Sequence, residues 1–362
     1  MTTAPGDRIV DLDVLRAVAL IGVVTMNYHG YLTIQRYDPN DSFVHRLFDP
    51  WNGPLSTRFA ATFVTVAGMS VTLMTNRSRT GGDQAAIGAD RWRLARRGLL
   101  LLCVGYVLDW IWPGTILYFY GAYFITAALL FTLRARWLVL LGAVSALGAA
   151  GVQWWDFERS QDGRPLWWLL GSSPRSPRSL LFDTFLNGTH PLFPWLAFLC
   201  AGMVVGRALP LCTRVRVRLI LVGVVMVAAT YLLRHLFADR SSLSSRLFAT
   251  DPFSRSLNYV VCALGSSIVA VAGIGWLASR TRDARVTGWL AIAGRSTLTL
   301  YVLHAVVFNL IVNVWHWIEP TGLDTALLFA GGYWLVAITA AVLWNRRWGM
   351  APLERFYRAF GG

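Results

Sequence analysis

Residues 10–32 read VDLDVLRAVALIGVVTMNYHGYL, an apolar run that nevertheless holds Asp13, Arg16 and Asn27. A membrane-spanning helix needs about 20 mostly apolar residues, and this run supplies them. A charged or strongly polar side chain inside such a helix costs roughly 2.5–3.5 kcal/mol, so it persists mainly where it faces a cavity or a partner. At about 100° per residue, the step from Arg16 to Asn27 returns to nearly the same helical face. One polar stripe is therefore expected to run from Arg16 at the inner end to Asn27 at the outer end, with Asp13 one turn before Arg16. His29 falls on the opposite face, at the water boundary.

Similar runs recur near 57–76, 97–112, 115–133, 137–154, 192–209, 217–235, 256–279, 295–316 and 325–345, which predicts an all-α polytopic transmembrane bundle of about ten spanning helices. Composition agrees: 55% of the residues are hydrophobic and only 14% charged, more apolar surface than a soluble domain of 362 residues can hide. The net charge of +14 comes from arginine alone, since the sequence has no lysine. These arginines fall in short connections (77–97, Arg134 and Arg136, Arg207 to Arg218, Arg280 to Arg285, then Arg346, Arg347, Arg355 and Arg358), which marks topology rather than nucleic-acid binding. All lie on one side if the number of spans is even and both termini are cytoplasmic. Residues 1–362 then form a single membrane domain, with 33–56, 155–191 and 236–255 as extracytoplasmic loops. Trp154, Trp155, Trp167 and Trp168 suit the membrane interface. Cys103, Cys200, Cys212 and Cys262 lack the paired spacing of metal sites, so neither a metal nor a disulfide framework is expected.

Several polar residues could carry chemistry. If 43–49 is helical, His45 and Asp49 stand one turn apart, as a general base and its orienting carboxylate would; a solvated loop histidine gives the same pattern. Arg58 opens the second run on the outer side, placed to bind an anionic acceptor or to pair with Asp49. Thr297, Tyr301 and His304 follow at steps of four and three, forming either a binding stripe or an interhelical hydrogen-bond seam. His190 sits where the long outer loop re-enters the membrane. No phosphate loop, nucleophile elbow or zinc-protease motif is present.

The segments Asp11-Leu12-Asp13-Val14-Leu15-Arg16 with Asn27, Asp49-Pro50-Trp51-Asn52-Gly53 and Val66-Ala67-Gly68-Met69-Ser70 resemble the heparan-alpha-glucosaminide N-acetyltransferase catalytic domain and its bacterial relatives. Asn187 to Trp195, Gly202-Met203 with Gly206-Arg207, Gly294 to Tyr301 and Ala351-Pro352-Leu353-Glu354 are similar to the YeiB-like bacterial membrane proteins. The resemblance implies an integral protein of the bacterial cytoplasmic membrane. It would transfer an acetyl or other acyl group from cytosolic acyl-CoA to a hydroxyl or amine of a sugar or envelope glycoconjugate outside. It carries over Asn27 and Pro50-Trp51-Asn52-Gly53, but the family's histidine two residues before the proline is Phe48 here, and His45 lies three positions earlier.

The expected partners are the lipid bilayer, acyl-CoA as donor substrate, the outer acceptor and a second copy of the chain, without nucleic acid. On this reading Arg16 and Asp13, with Arg93, Arg96, Arg97 and Arg295, guide the donor. Asn27 polarises the reacting carbonyl, His45 or His29 takes the acceptor's proton, and Trp51, Asn52, Arg58, His190, Tyr301 and His304 line the binding region. The competing expectation is a transporter or exporter of a small polar metabolite, using the same residues to line a path.

Overall fold

The computed structural model describes residues 10–36, 42–166, 176–238, 241–320 and 322–362, and among them the secondary structure is helical throughout. In chain order the helices are α1 (Val10–Gln35), α2 (Phe43–Phe48), α3 (Arg58–Met74), α4 (Asn76–Gly81), α5 (Gln84–Leu108), α6 (Leu117–Leu130), α7 (Ala135–Gln161) and α8 (Pro177–Phe182). They continue with α9 (Leu192–Gly206), α10 (Thr213–Phe237), α11 (Ser242–Leu247), α12 (Leu257–Arg280), α13 (Arg285–Arg295), α14 (Thr297–Phe308), α15 (Leu323–Trp348) and α16 (Pro352–Gly361). Each apolar run read from the sequence falls largely on a helix, although 97–112 outlasts α5 and 295–316 outlasts α14. Among the described residues, five helices are long and apolar enough to cross a membrane (α7, α10, α12, α14 with its Asn309–Val314 extension, and α15), and a sixth span arises if Arg178–Asn187 and Leu192–Gly206, bent by 53°, act together. Helices α3 and α6 are apolar but shorter.

Apolar side chains face outward as well as inward. Leu221, Val222, Val225 and Leu232 on α10 and Leu328, Leu335 and Val336 on α15 are exposed, and only 11% of the apolar window of α10 is buried. In water such stripes would forfeit up to about 1.5–3 kcal/mol per side chain. The protein is an integral membrane protein, and these faces are turned to lipid.

Small residues set the closest helix contacts. A Cβ on Gly202 of α9 would lie 1.9 Å from the Thr65 carbonyl oxygen of α3, and one on Gly68 would lie 2.2 Å from that of Leu199. Helix α13 presses on α1 in the same way: a Cβ on Gly294 would meet the Asp13 carbonyl oxygen at 1.7 Å. With apolar lipid as the alternative surroundings, such backbone approach is what holds membrane helices together.

Two local arrangements add to the sequence expectation, and the interface tryptophans are described in part. The arginine-rich stretch 77–97 is mostly helix: Asp83 caps α5 by accepting from Ala85 N, and Asp90 pairs with Arg93 at 2.6 Å while accepting from Ser78 Oγ at 2.6 Å. The outer connections contain short helices α2, α8 and α11, each N-capped by a serine side chain. Trp154 and Trp155 are exposed at the end of α7, whereas Trp167 and Trp168 lie outside the described residues.

Candidate active site

A cavity of about 520 Å³ opens among α1, α3, α5, α6, α13, α14 and α16, within the size range of small-molecule sites. Its lining includes Arg16, Arg97, Arg295 and Arg358, with Glu354 the acidic member, and deeper in it Tyr120 and Tyr301. Arg16 reaches it as the stripe on α1 implied. Its guanidinium is held by Asp13 Oδ1 at 2.8 Å and donates to Ser70 Oγ of α3 at 2.6 Å. Asp13 is buried, so the pair is fixed rather than snorkelling to the interface.

Arg295 makes no hydrogen bond or ion pair among the described residues, and its Nε is buried without a partner, as is the Nε of Arg97. Unspent guanidinium donors on a cavity wall match the planar, bidentate recognition of a phosphate or carboxylate. Arg97 is steadied from behind by the Tyr357 ring, 5.3 Å from its guanidinium carbon, and by donation to the Gly362 carbonyl.

The mouth of the cavity is tied together by Glu354. Its Oε1 accepts from Leu298 N at 2.6 Å and Thr299 N at 3.1 Å, and its Oε2 accepts from Thr299 Oγ1 at 2.5 Å. The first backbone N–H groups of α14 lack partners within their own helix, and a carboxylate there also meets the positive end of the helix dipole. Two sequence segments more than fifty residues apart, 294–301 and 351–354, are thus one interlocked structure. Burial outweighs these bonds and pushes the Glu354 carboxyl up from its ordinary value.

Beyond Tyr301, one turn further along α14, His304 is fully buried. Its Nδ1 contacts the Tyr301 carbonyl oxygen, which can only accept, so Nδ1 carries the proton and Nε2 the lone pair. That lone pair faces Asn27 Nδ2 at 3.4 Å, longer than an ordinary hydrogen bond. The rings of Trp112, Tyr28 and Tyr301 surround His304 with centroids 5.0, 5.9 and 4.7 Å away. The Tyr301 hydroxyl is fixed by Thr115 Oγ1 and Ile116 N at 3.1 and 3.0 Å, and its side chain belongs both to the cavity wall and to the surroundings of His304. The stripe on α1 and the stripe on α14 therefore meet, although Asn27 does not itself line the cavity.

The outer loop is arranged differently. Asp49 Oδ1 accepts from Trp51 N at 2.8 Å and Asn52 N at 3.1 Å, which shapes the Trp51-Asn52-Gly53 turn. His45 is half-buried and bonded through Nδ1 to Ser42 Oγ at 2.8 Å. His29 is buried, and its Nδ1 donates to the carbonyl oxygen of Phe48 at 2.8 Å. The position that lacks the family's histidine in sequence is thus met in space by a histidine from α1. Trp51 is exposed with its ring 5.7 Å from that of Phe253. The possible Arg58–Asp49 pairing gives way to another arrangement: Arg58 is buried, donates to the Thr250 carbonyl at 2.8 Å and lies over the Tyr259 ring at 5.1 Å. His190 is bonded to Thr189 Oγ1 at 2.8 Å and packed edge-on against Phe119 and Trp195, away from the Asn27–His304 contact.

Arg16, Arg295 and Tyr301 are thus gathered at one cavity and Asn27 and His304 beside it, whereas His45, Asp49, Trp51, Asn52, Arg58 and His190 lie elsewhere. The sequence reading missed the parts of Glu354, Tyr120 and Arg358. A signal existed for two of them: Glu354 and Arg358 are four residues apart, on one face of a short amphipathic helix.

Residues 8–218, more than half of the chain, match the family described as heparan-alpha-glucosaminide N-acetyltransferase, catalytic. The chain belongs to that family. Residues 211–361 match a second family, described as protein of unknown function (DUF418), so α10 to α16 of this acetyltransferase-family chain carry the YeiB-like part. No curated protein matches the chain. The acetyltransferase-family region supplies Arg16, Asn27, Ser70 and Arg97, and the second supplies Arg295, Tyr301, His304 and Glu354, so the cavity is built across both.

Proposed function

We propose that this protein is a membrane acyltransferase that draws acyl-CoA into the arginine-lined cavity and passes its acyl group to a hydroxyl or amine arriving from the other side. The observation that carries this reading is Arg295, a guanidinium without a partner among the described residues, on the wall of a cavity also lined by Tyr301, the neighbour of the Asn27–His304 contact. The donor's phosphates would lie against Arg295, Arg97 and Arg358, and its thioester arm would point toward Tyr301. In the accompanying topology the ten helices span a bacterial cytoplasmic membrane with both termini inside, so that the cavity mouth faces the cytosolic donor.

His304 is favoured as base over His29 and His45 because it stands against Asn27. A two-residue step turns a helix by about 200°, which sends His29 away from that amide, and His45 is on the outer loop. In the transfer, the acceptor replaces Asn27 as the hydrogen-bond partner of Nε2 and gives up its proton there. The freed Asn27 N–H stabilises the oxyanion of the tetrahedral intermediate. Collapse expels the coenzyme A thiolate, which takes the proton from the imidazolium; the Tyr301 carbonyl holds Nδ1–H throughout. No acyl-enzyme is needed.

The test is full-length protein in nanodiscs with labelled acetyl-CoA and a panel of amino sugars and glycosides. Transfer that is lost in Arg16→Ala is the expected result. Failure of coenzyme A to bind, with no transfer to any acceptor, would overturn the reading.

A further inference from the structure

A second pocket, of about 470 Å³, lies at the end of the bundle opposite the cavity mouth, among the last turns of α7 and α10, the helix α11 and the Pro252–Ser254 turn. Helix α3 joins the two regions. It starts at Arg58, beside this pocket, and ends with Ser70 and Met74 on the cavity wall, a rise of about 24 Å. Arg234 and Arg246 line the pocket, and neither is in an ion pair among the described residues. Arg234 donates to Thr250 Oγ1 at 2.7 Å, while the carbonyl of the same Thr250 accepts from buried Arg58 at 2.8 Å. Arg58 keeps a second nitrogen, Nη1, buried without a partner. Against these positive charges the lining sets, among the described residues, one carboxylate, Asp251, whose Oδ1 accepts from Ser254 N at 2.8 Å.

Arginines that orient a membrane protein gather at the other end, so orientation does not explain this cluster. The pocket also continues onto apolar surface. Trp154 and Phe253 on its wall are 48% and 46% exposed, and Leu232 and Leu236 stand exposed on the adjoining turns of α10. A polar solute has no use for that flank, whereas a hydrocarbon chain lies along it without leaving the bilayer.

We infer that this pocket holds the anionic head group of a phosphate-bearing lipid, with Arg234 and Arg246 on the head group and the acyl chain along α10. The inference is independent of acyl transfer, since it concerns binding alone. Detergent-purified full-length protein, mixed with equal amounts of phosphatidylglycerol and phosphatidylcholine and examined by native mass spectrometry, should retain the anionic lipid in about tenfold preference. The double variant R234Q/R246Q, at two exposed positions, should bring that ratio close to one while eluting as the parent protein does and retaining as much phosphatidylcholine. Equal retention of both lipids by the parent protein, or an unchanged preference in the variant, would overturn the site. Displacement of phosphatidylglycerol by an equal concentration of inorganic phosphate would overturn the lipid assignment in favour of a soluble anion.

Discussion

At the arginine-rich end of the bundle, segments remote in sequence close on one another: Asp13 and Arg16 on Ser70, Gly294 on the backbone of α1, Glu354 on the start of α14. In the outer loop 42–53 the side-chain hydrogen bonds are more local, with Asp49 serving the turn that follows it and His45 bonding the serine that caps its own helix. Polar groups lining the 520 Å³ cavity are held by several helices, whereas those near 42–53 mainly shape a loop. Fixed orientation around a cavity is what chemistry needs, and the proposed transfer rests on the first arrangement.

The largest expected effect tests whether the first end depends on backbone approach. Gly202→Val places a side chain where the Thr65 carbonyl lies 1.9 Å from the first added atom, and should cost about 3 kcal/mol or more, seen as loss of the monodisperse peak in detergent. Gly331→Ala, with nothing within 4 Å, should elute and melt as the parent protein does. The histidines sharpen the contrast further. His304→Gln, which can still donate to the Tyr301 carbonyl, should lower the transfer rate by about 10²–10⁴-fold in folded protein. His45→Ala should leave the rate within about twofold, and an equal loss in both would dissolve the distinction between the ends. Arg295→Ala should raise the donor KM by about 10- to 100-fold with little change in kcat, and Arg295→Lys should recover only part of the difference.

The smallest effect is one of pH. A carboxyl whose pKa is raised on folding binds its proton more tightly in the folded chain, so its contribution favours folding below the ordinary carboxylate range. That contribution fades as pH rises through the raised value. Glu354 is such a group. Thermal unfolding followed from about pH 4 to 7 should fall with rising pH over that stretch, and Glu354→Gln should flatten the fall.

Much of this was legible in the sequence. The positions of the ten apolar runs follow from bilayer thickness, which acts on composition alone, and the inward turn of Arg16 follows from the cost of charge in lipid. The pairing of Asn27 with His304 was half legible: each stripe could be read from helical periodicity, but not that the two helices would bring them face to face. Helices α4 and the start of α5 were hidden because their arginines resemble a loop until Asp83 is seen to cap α5 and Asp90 to pair with Arg93. Glu354 could not be read as a cap, because its partners on α14 are more than fifty residues away.

The most direct test of the central claim is an experimental structure of the protein with coenzyme A bound. Its phosphates should lie against Arg295 and Arg97 and its thiol end beside Tyr301, pointing toward Asn27 and His304. Coenzyme A bound elsewhere, with the 520 Å³ cavity empty, would contradict it.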